Sequence, residues 1–445
     1  MLNELQAIVD DLAHRLKAST VLEDHDQRMV VYSSQSGPID EVRRDSILQR
    51  ETSQQVKEWF RQFGIAQATA PLRIPSHPEL GILGRLCSPV RFRGRLMGFL
   101  FLIDDEQRLG ECDIAAAEQA GLHAGVLLYE EELSERLSAS VLSHLLAPSA
   151  ELRENAARQL LEQGLTTADA PHAVVYVRPA DPSPVAGLAE LIGEALSELG
   201  RHRGYVGLLR VARHDHGVLL ARISSVDDDR AARAAAEEAR GMLARRLPLQ
   251  PAAPATRPRA ASGGGEARVV AGIGDPQRHL TAAVVSYRQA LLAARVAVSV
   301  PSVGNLARWQ DLGAFRALVQ LPLGEQSASC LDPRLVTLLG AESGLAETVE
   351  AYLDLGGDAK RTAEQLNVHR ATLYYRLGKA QRLTGADLHD GNDRLALHLS
   401  FKLARLTERY PPTPKPAPDP ALAGAGGFAP DEAGSPVVPR SRSEL

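Results

Sequence analysis

AKRTAEQLNVHRATLYYRLGKAQRL, residues 359–383, decides the reading of this chain. Its spacing is that of two short helices joined by a tight turn. Ala363 stands where crossing helices touch and only a small side chain fits, while Leu366, Val368, Leu373 and Leu377 supply the apolar contacts between them. Asn367 takes the turn, where a residue tolerant of left-handed backbone is wanted. The second helix opens HRATLYYR, with Thr, Tyr and Arg near its N-terminus, the end that enters the major groove in a helix-turn-helix. The expected partner is double-stranded DNA.

Charge distribution agrees. The whole chain is slightly acidic, with a formal net charge of −5. Within 359–382, however, Lys360, Arg361, Arg370, Arg376, Lys379 and Arg382 face a single acid, Glu364. That local excess is what phosphate neutralisation needs. Lysine is otherwise scarce, with only Lys17, Lys57 and Lys415 outside 360–402. A basic helix pair can also be an ordinary solvated face, so the turn spacing carries more weight than the charge.

Placing Leu373, Leu377 and Ala380 inward fixes the rotation of the second helix at about 100° per residue. Ala371, Thr372, Tyr375, Lys379 and Arg382 then point outward, flanked by Arg370 and Arg376. His369 is expected to cap the helix or meet a phosphate nearby. Arg370, Thr372 and Tyr375 reach base edges or phosphates. Lys379 and Arg382 serve as phosphate clamps, and Lys360 and Arg361 touch backbone from the first helix. The expected DNA-binding set is therefore Lys360, Arg361, His369, Arg370, Thr372, Tyr375, Arg376, Lys379 and Arg382. Tyr374 faces sideways and is expected to pack.

Composition bounds the rest. With 445 residues, 44% hydrophobic and only 4% aromatic, the chain can hold two to four domains with ordinary cores. Cys87, Cys112 and Cys330 lack CxxC spacing, so neither a disulfide framework nor a zinc site is implied, and a reducing cytoplasm is expected. The longest apolar run, residues 98–103, stops at Asp104-Asp105; it reads as a buried strand and is too short to span a bilayer. The N-terminal MLNELQAIVDDLAHRLK is an amphipathic helix carrying acids, not a secretory signal.

The expected fold class is α+β and multidomain. Residues 1–130 read as helix 2–17, a hairpin over 20–32, a long polar helix at about 39–63, a hairpin pairing 86–91 with 96–103, and a terminal helix. That order resembles a small PAS- or GAF-like sensory domain. A connecting helix fills 131–165, where Leu133, Leu137, Val141 and Leu145 step by four along what reads as one face, suited to its own domain or to a second copy. Residues 166–300 read βαββαβ with a trailing helix, the ferredoxin-like plan on which nucleotide cyclases are built, interrupted by a Pro/Ala/Gly-rich insertion at 248–265. A connector at 301–344 leads to an all-α DNA-binding domain at 345–410, closed by helix 392–407 with Leu395, Leu399 and Leu403 on one face. The Pro/Ala/Gly-rich tail 411–445 is expected to be disordered.

Residues 347–406 are similar to the C-terminal signature of PucR/CdaR-type transcriptional regulators. The resemblance rests on Tyr352-Leu353, Thr362-Ala363, Leu366, Val368-His369, Thr372-Leu373, Tyr375-Arg376-Leu377, Thr384-Gly385, Leu388 and Arg394-Leu395-Ala396-Leu397. Upstream, 271–297 resembles the end of that family's cyclase-derived middle domain, and Trp309-Gln310-Asp311-Leu312-Gly313 resembles a further family feature. The helix pair is also similar to that of the Fis nucleoid protein. Ala371 and Gly378 depart from the residues common in the family, so base preference does not carry over. The resemblance implies a metabolite-responsive regulator with a small-molecule effector, working as a homodimer or higher homo-oligomer, with no membrane partner.

Catalysis finds no footing. Leu355-Gly356-Gly357-Asp358 spells the start of a GGDEF motif, but it precedes the DNA-reading pair, where the glycines make a turn and Asp358 caps a helix. In the middle domain, the hairpin that a cyclase would use reads Arg213-His214-Asp215-His216-Gly217, and the first strand ends Arg178-Pro179 without a metal carboxylate. His214 and His216 are expected in a solvated polar turn rather than on a metal. Gly263-Gly264-Gly265-Glu266 lacks the Lys-Ser/Thr of a phosphate loop. The chain is therefore expected to be neither an enzyme nor the holder of a cofactor or metal. The alternative function is a ligand-binding or scaffold protein whose helix-turn-helix contacts protein.

Overall fold

The computed structural model describes residues 2–34, 39–49, 51–168, 170–181, 185–201, 208–248, 267–321, 330–341, 344–407 and 409–410. Nearly all of the 248–265 insertion and the whole 411–445 tail lie outside the described residues. The architecture is mixed α and β, ending in an all-helical bundle. The chain divides into two compact units, Met1–Val141 and Leu142–Leu445.

The first unit runs α1 (Leu2–Leu16), β1 (Thr20–Asp24), β2 (Met29–Tyr32), α2 (Glu41–Gln49), α3 (Gln54–Gln62), β3 (Leu72–Ile74), β4 (Arg85–Phe92), β5 (Arg95–Ile103) and α4 (Glu111–Leu145). Its five strands form an antiparallel sheet in the order β2-β1-β5-β4-β3. Both faces are covered, which explains the unbroken apolar run of β5. Leu100 and Leu102 meet Leu5, Val9 and Leu12 of α1 and Ala117 and Ala124 of α4. Phe99 and Phe101 meet Val56 and Phe60 of α3 on the other side.

The single helix expected at about 39–63 is in fact two. The chain leaves the helix because Thr52 is claimed by its neighbours: its N–H donates to Gln27 O at 3.2 Å and its hydroxyl to Glu23 Oε1 at 3.0 Å. Strand β3, at three residues too short to announce itself, joins the sheet edge beside β4.

The second unit continues with α5 (Ala150–Glu162), β6 (His172–Pro179), α6 (Leu188–Arg201), β7 (Leu209–Ala212), β8 (Gly217–Arg222), α7 (Arg230–Arg246), β9 (Val269–Ile273), α8 (Ala283–Ser299) and β10 (Leu306–Arg308). The sheet order is β10-β9-β6-β8-β7, antiparallel except for the β10/β9 pair. On one face Ala173, Val175 and Val177 pack against Ile192 and Leu196 of α6 and Ala235, Ala239 and Leu243 of α7. On the other, α8 lies almost directly on β9. A Cβ at Gly272 would stand 1.9 Å from Ala290 O, and one at Gly274 would stand 1.9 Å from Ser286 O. Only glycine permits that approach. Ser286 Oγ also accepts the Val174 N–H at 2.9 Å.

The hairpin turn at His214–His216 departs from the solvated turn expected. His214 is 90% exposed, whereas His216 is 13% exposed. Its ring stacks on Tyr176, centroids 4.4 Å apart, and its Nδ1 meets Asp215 Oδ1 at 2.7 Å. The two imidazoles therefore sit in different environments. Among the described residues, no three His, Cys, Asp or Glu side chains gather to hold a metal, and no helix is long and apolar enough to cross a membrane.

Candidate nucleic-acid interface

After α9 (Phe315–Leu318), five helices among the described residues build the C-terminal bundle: α10 (Pro333–Leu339), α11 (Leu345–Asp354), α12 (Ala359–Gln365), α13 (Arg370–Thr384) and α14 (Gly391–Leu406). Their common core contains Leu335, Leu338, Val349, Leu353, Ala363, Leu373, Leu377, Ala380, Leu397 and Phe401. Helix α10 thus contributes from upstream of residue 345. Its start was written in the sequence as Asp332-Pro333, a capping acid followed by proline at the first helical position, and Asp332 accepts the Arg334 N–H at 2.9 Å.

Local chemistry sets each end of the helix pair. Gly356 and Gly357 take positive φ of 68° and 87°, turning the chain out of α11. Asp358 then caps α12, its Oδ1 accepting from Lys360 N at 2.9 Å and Arg361 N at 3.0 Å. Asn367 makes the turn with φ 51°, and Val368 N–H returns to Ala363 O at 3.0 Å. His369 caps α13, its Nδ1 accepting from Ala371 N at 3.3 Å. The left-handed Gly385, φ 68°, ends that helix.

This framework presents Lys360 and Arg361 on α12, and Arg370, Thr372, Tyr375 and Arg382 on α13, as exposed side chains, with His369 exposed at the junction. Two members of the expected set are placed differently. Lys379 is partly buried, and the Arg376 guanidinium turns back toward α11, Nη1 lying 3.5 Å from Thr348 Oγ1. Tyr374 corrects the expectation that it packs: it is 61% exposed, matching Tyr375 at 63%. It stands one residue from the inward Leu373, close enough on the helical wheel to look like a flank. Leu395 and Leu399 also differ from expectation. They are 58% and 38% exposed, while Leu397, Phe401, Leu403 and Ala404 face the core.

Behind the basic surface the bundle is locked by ions on its far helices. Asp354 accepts from His398 Nε2 at 2.6 Å and Lys402 Nζ at 2.8 Å. Desolvation works against ionisation there, yet these two donors hold the carboxyl below its ordinary range. Arg334 joins α10 to α14 through Asp393 at 2.6 Å.

The family comparison falls on the same region. The PucR C-terminal helix-turn-helix domain matches residues 345–403. The chain is 23% identical over 429 residues, 91% of its length, to the proline-responsive transcriptional activator PutR of Bacillus subtilis (strain 168), covering 97% of that protein. It is 19% identical over 420 residues, again 91% of its length, to the DNA-binding transcriptional activator AdeR of the same organism, covering 94% of it. The purine catabolism regulatory protein of B. subtilis (strain 168) is 35% identical over 65 residues, 15% of this chain and 12% of that protein. A crystal structure of a regulator of polyketide synthase expression from Bifidobacterium adolescentis is 17% identical, covering 62% of this chain and 92% of that one, with a TM-score of 0.25, too low to bear on the fold. The relatives that span nearly the whole chain are transcriptional activators, and residues 345–403 of this chain are a PucR C-terminal helix-turn-helix domain.

Proposed function

We propose that this chain is a cytoplasmic, sequence-specific, DNA-binding transcriptional regulator and not an enzyme. The observation that carries the reading is the exposed basic face of α12 and α13 over a closed apolar core. Arg370, Thr372 and Tyr375 read base edges or phosphates. Lys360, Arg361, His369, Lys379 and Arg382 serve the backbone, with Arg376 at the margin of the surface.

The upstream domains set when binding occurs. Residues 1–130 act as a PAS- or GAF-like sensory module, 131–165 as a connecting segment formed by the end of α4 and by α5, 166–300 as a degenerate cyclase-derived ferredoxin-like module, and 301–344 as a connector whose helix α10 packs into the DNA-binding domain at 345–410. Support for the first assignment comes from the strand order β2-β1-β5-β4-β3, and for the second from the antiparallel order β9-β6-β8-β7. Likeness to a relative named as proline-responsive favours a small metabolite as effector. Two or more copies bind together, so that effector-induced repacking alters half-site spacing.

The test is a salt titration of the full-length protein on fragments recovered by genome-wide mapping of bound sites. Counterion release predicts a steep linear fall of log affinity with log salt. Binding that is absent, or indifferent to salt, rejects the reading in favour of a protein-binding helix-turn-helix.

A further inference from the structure

Helix α4 carries an apolar ridge that its own sheet does not cover. Leu122, Val126, Leu133 and Leu137 are 57%, 37%, 45% and 50% exposed. At about 100° per residue they fall within about 60° of one another around the helix; Tyr129 borders them, its ring packed on Phe92 of β4 at 4.8 Å between centroids. Of the face expected from sequence, Leu133, Leu137, Val141 and Leu145, only the first two lie on this ridge. Each step of four rotates about 40°, so that set drifts round the helix, and Val141 and Leu145 are buried. Mixed steps of four and seven keep Leu122, Val126, Leu133 and Leu137 aligned, and the exposed stripe therefore runs towards the helix N-terminus.

We propose that this ridge is the interface with a second copy of the chain, two α4 helices pairing in parallel across a two-fold axis. The proposal rests on the multi-copy reading given above and names its surface. A convex, single-sided ridge on a long helix is complementary to itself, which a two-fold contact requires. Four large aliphatic side chains aligned over 16 residues exceed the scattered exposure of a monomer surface. The flanking polar side chains fit parallel pairing. Exposed Glu118 lies on one flank, and exposed His123, five residues on, lies on the other. In a parallel pair that offset brings each Glu118 beside His123 of the other copy, twice by symmetry. Arg136, on the Glu118 side, is paired with Glu132 of its own helix at 2.5 Å, and Glu130 stands at this offset from the uncharged Gly125.

Light scattering of the full-length protein, together with cysteine crosslinking, tests this. Wild type is expected to be dimeric at micromolar concentration. Leu133→Glu combined with Leu137→Glu is expected to weaken dimerisation at least 100-fold, with an unchanged circular dichroism spectrum because both positions are exposed. In a Cys112→Ser, Cys330→Ser background, Leu133→Cys is expected to form a disulfide-linked dimer on oxidation, since parallel symmetry sets residue 133 against itself. A monomeric wild type, or a charged double variant that remains dimeric, overturns the proposal. So does failure of Leu133→Cys to crosslink. Affinity for a single DNA half-site is read separately. Its loss in wild type rejects the regulator reading, and its retention in a monomeric variant isolates the interface.

Discussion

Arg405 of α14 and Glu350 of α11 meet inside the C-terminal bundle, Nε to Oε1 at 2.7 Å, with 8% and 6% of their side chains exposed. The guanidinium also lies over the Tyr410 ring, 4.4 Å from its centroid. Truncating one partner of a buried pair removes the other's closest counter-charge, leaving Glu350 with Lys402 Nζ at 3.8 Å. Arg405→Ala is expected to cost about 3–5 kcal/mol, whereas Arg405→Leu with Glu350→Leu recovers most of it. Hydrogen exchange at the α11 and α14 amides measures both, and equal protection in Arg405→Ala would refute the claim.

Asn367 holds a left-handed turn at φ 51°. Asn367→Ala is expected to lower the stability of the bundle by about 1 kcal/mol, and Asn367→Gly to leave it nearly unchanged. A thermal melt in which both variants match wild type would show that the turn tolerates strain elsewhere.

The α8/β9 contact has no room for a methyl group. Gly272→Ala places a Cβ 1.9 Å from Ala290 O and is expected to cost about 1–3 kcal/mol or more. Gly391→Ala is the matched control, since a Cβ there meets nothing within 4 Å. The discriminating result is a melting temperature lowered in the first variant alone.

Glu23 is 4% exposed and its Oε2 has no hydrogen-bond partner. Burial pushes its carboxyl from 4.5 up to about 7, against the Thr52 hydrogen bond and the charges of Arg43 and Arg85. The native state therefore keeps a proton that the unfolded chain releases. This contribution to stability is full below pH 4.5, falls as pH rises towards 7, and is level above that. Glu23→Gln removes the dependence and is expected to gain roughly 3 kcal/mol at pH 8 but little at pH 4. Denaturant curves at the two pH values check it; equal gains at both would mean that ionisation is not the cause.

Within the proposed interface, Arg370→Ala is expected to weaken specific binding by about 1–3 kcal/mol and Arg361→Ala to reduce the salt slope by about one. Arg376→Ala is expected to leave base preference intact, because its guanidinium is turned to Thr348. Selection of preferred sites by each variant separates these outcomes.

The helix-turn-helix was legible because its signals are local. Cap, turn residue and apolar spacing all lie within 358–385, and Asp358, Asn367, His369 and Leu373 take the places that the spacing assigns. The exposure of Tyr374 was hidden because neighbouring positions on a helix differ by only one step of rotation. The break between α2 and α3 was invisible for another reason. It depends on Gln27 and Glu23, whose approach to Thr52 is set by the sheet. Likewise the stripe on α4 needed its buried neighbours to be known before the exposed residues could be sorted from them.

Backbone seated on backbone leaves no compressible layer. Since Gly272 and Gly274 bring α8 onto β9 without intervening side chains, strand and helix must travel together. Helix α8 in turn touches α14. Strand β9, helix α8 and the C-terminal bundle therefore stand as one packed series, with glycine making its tightest joint.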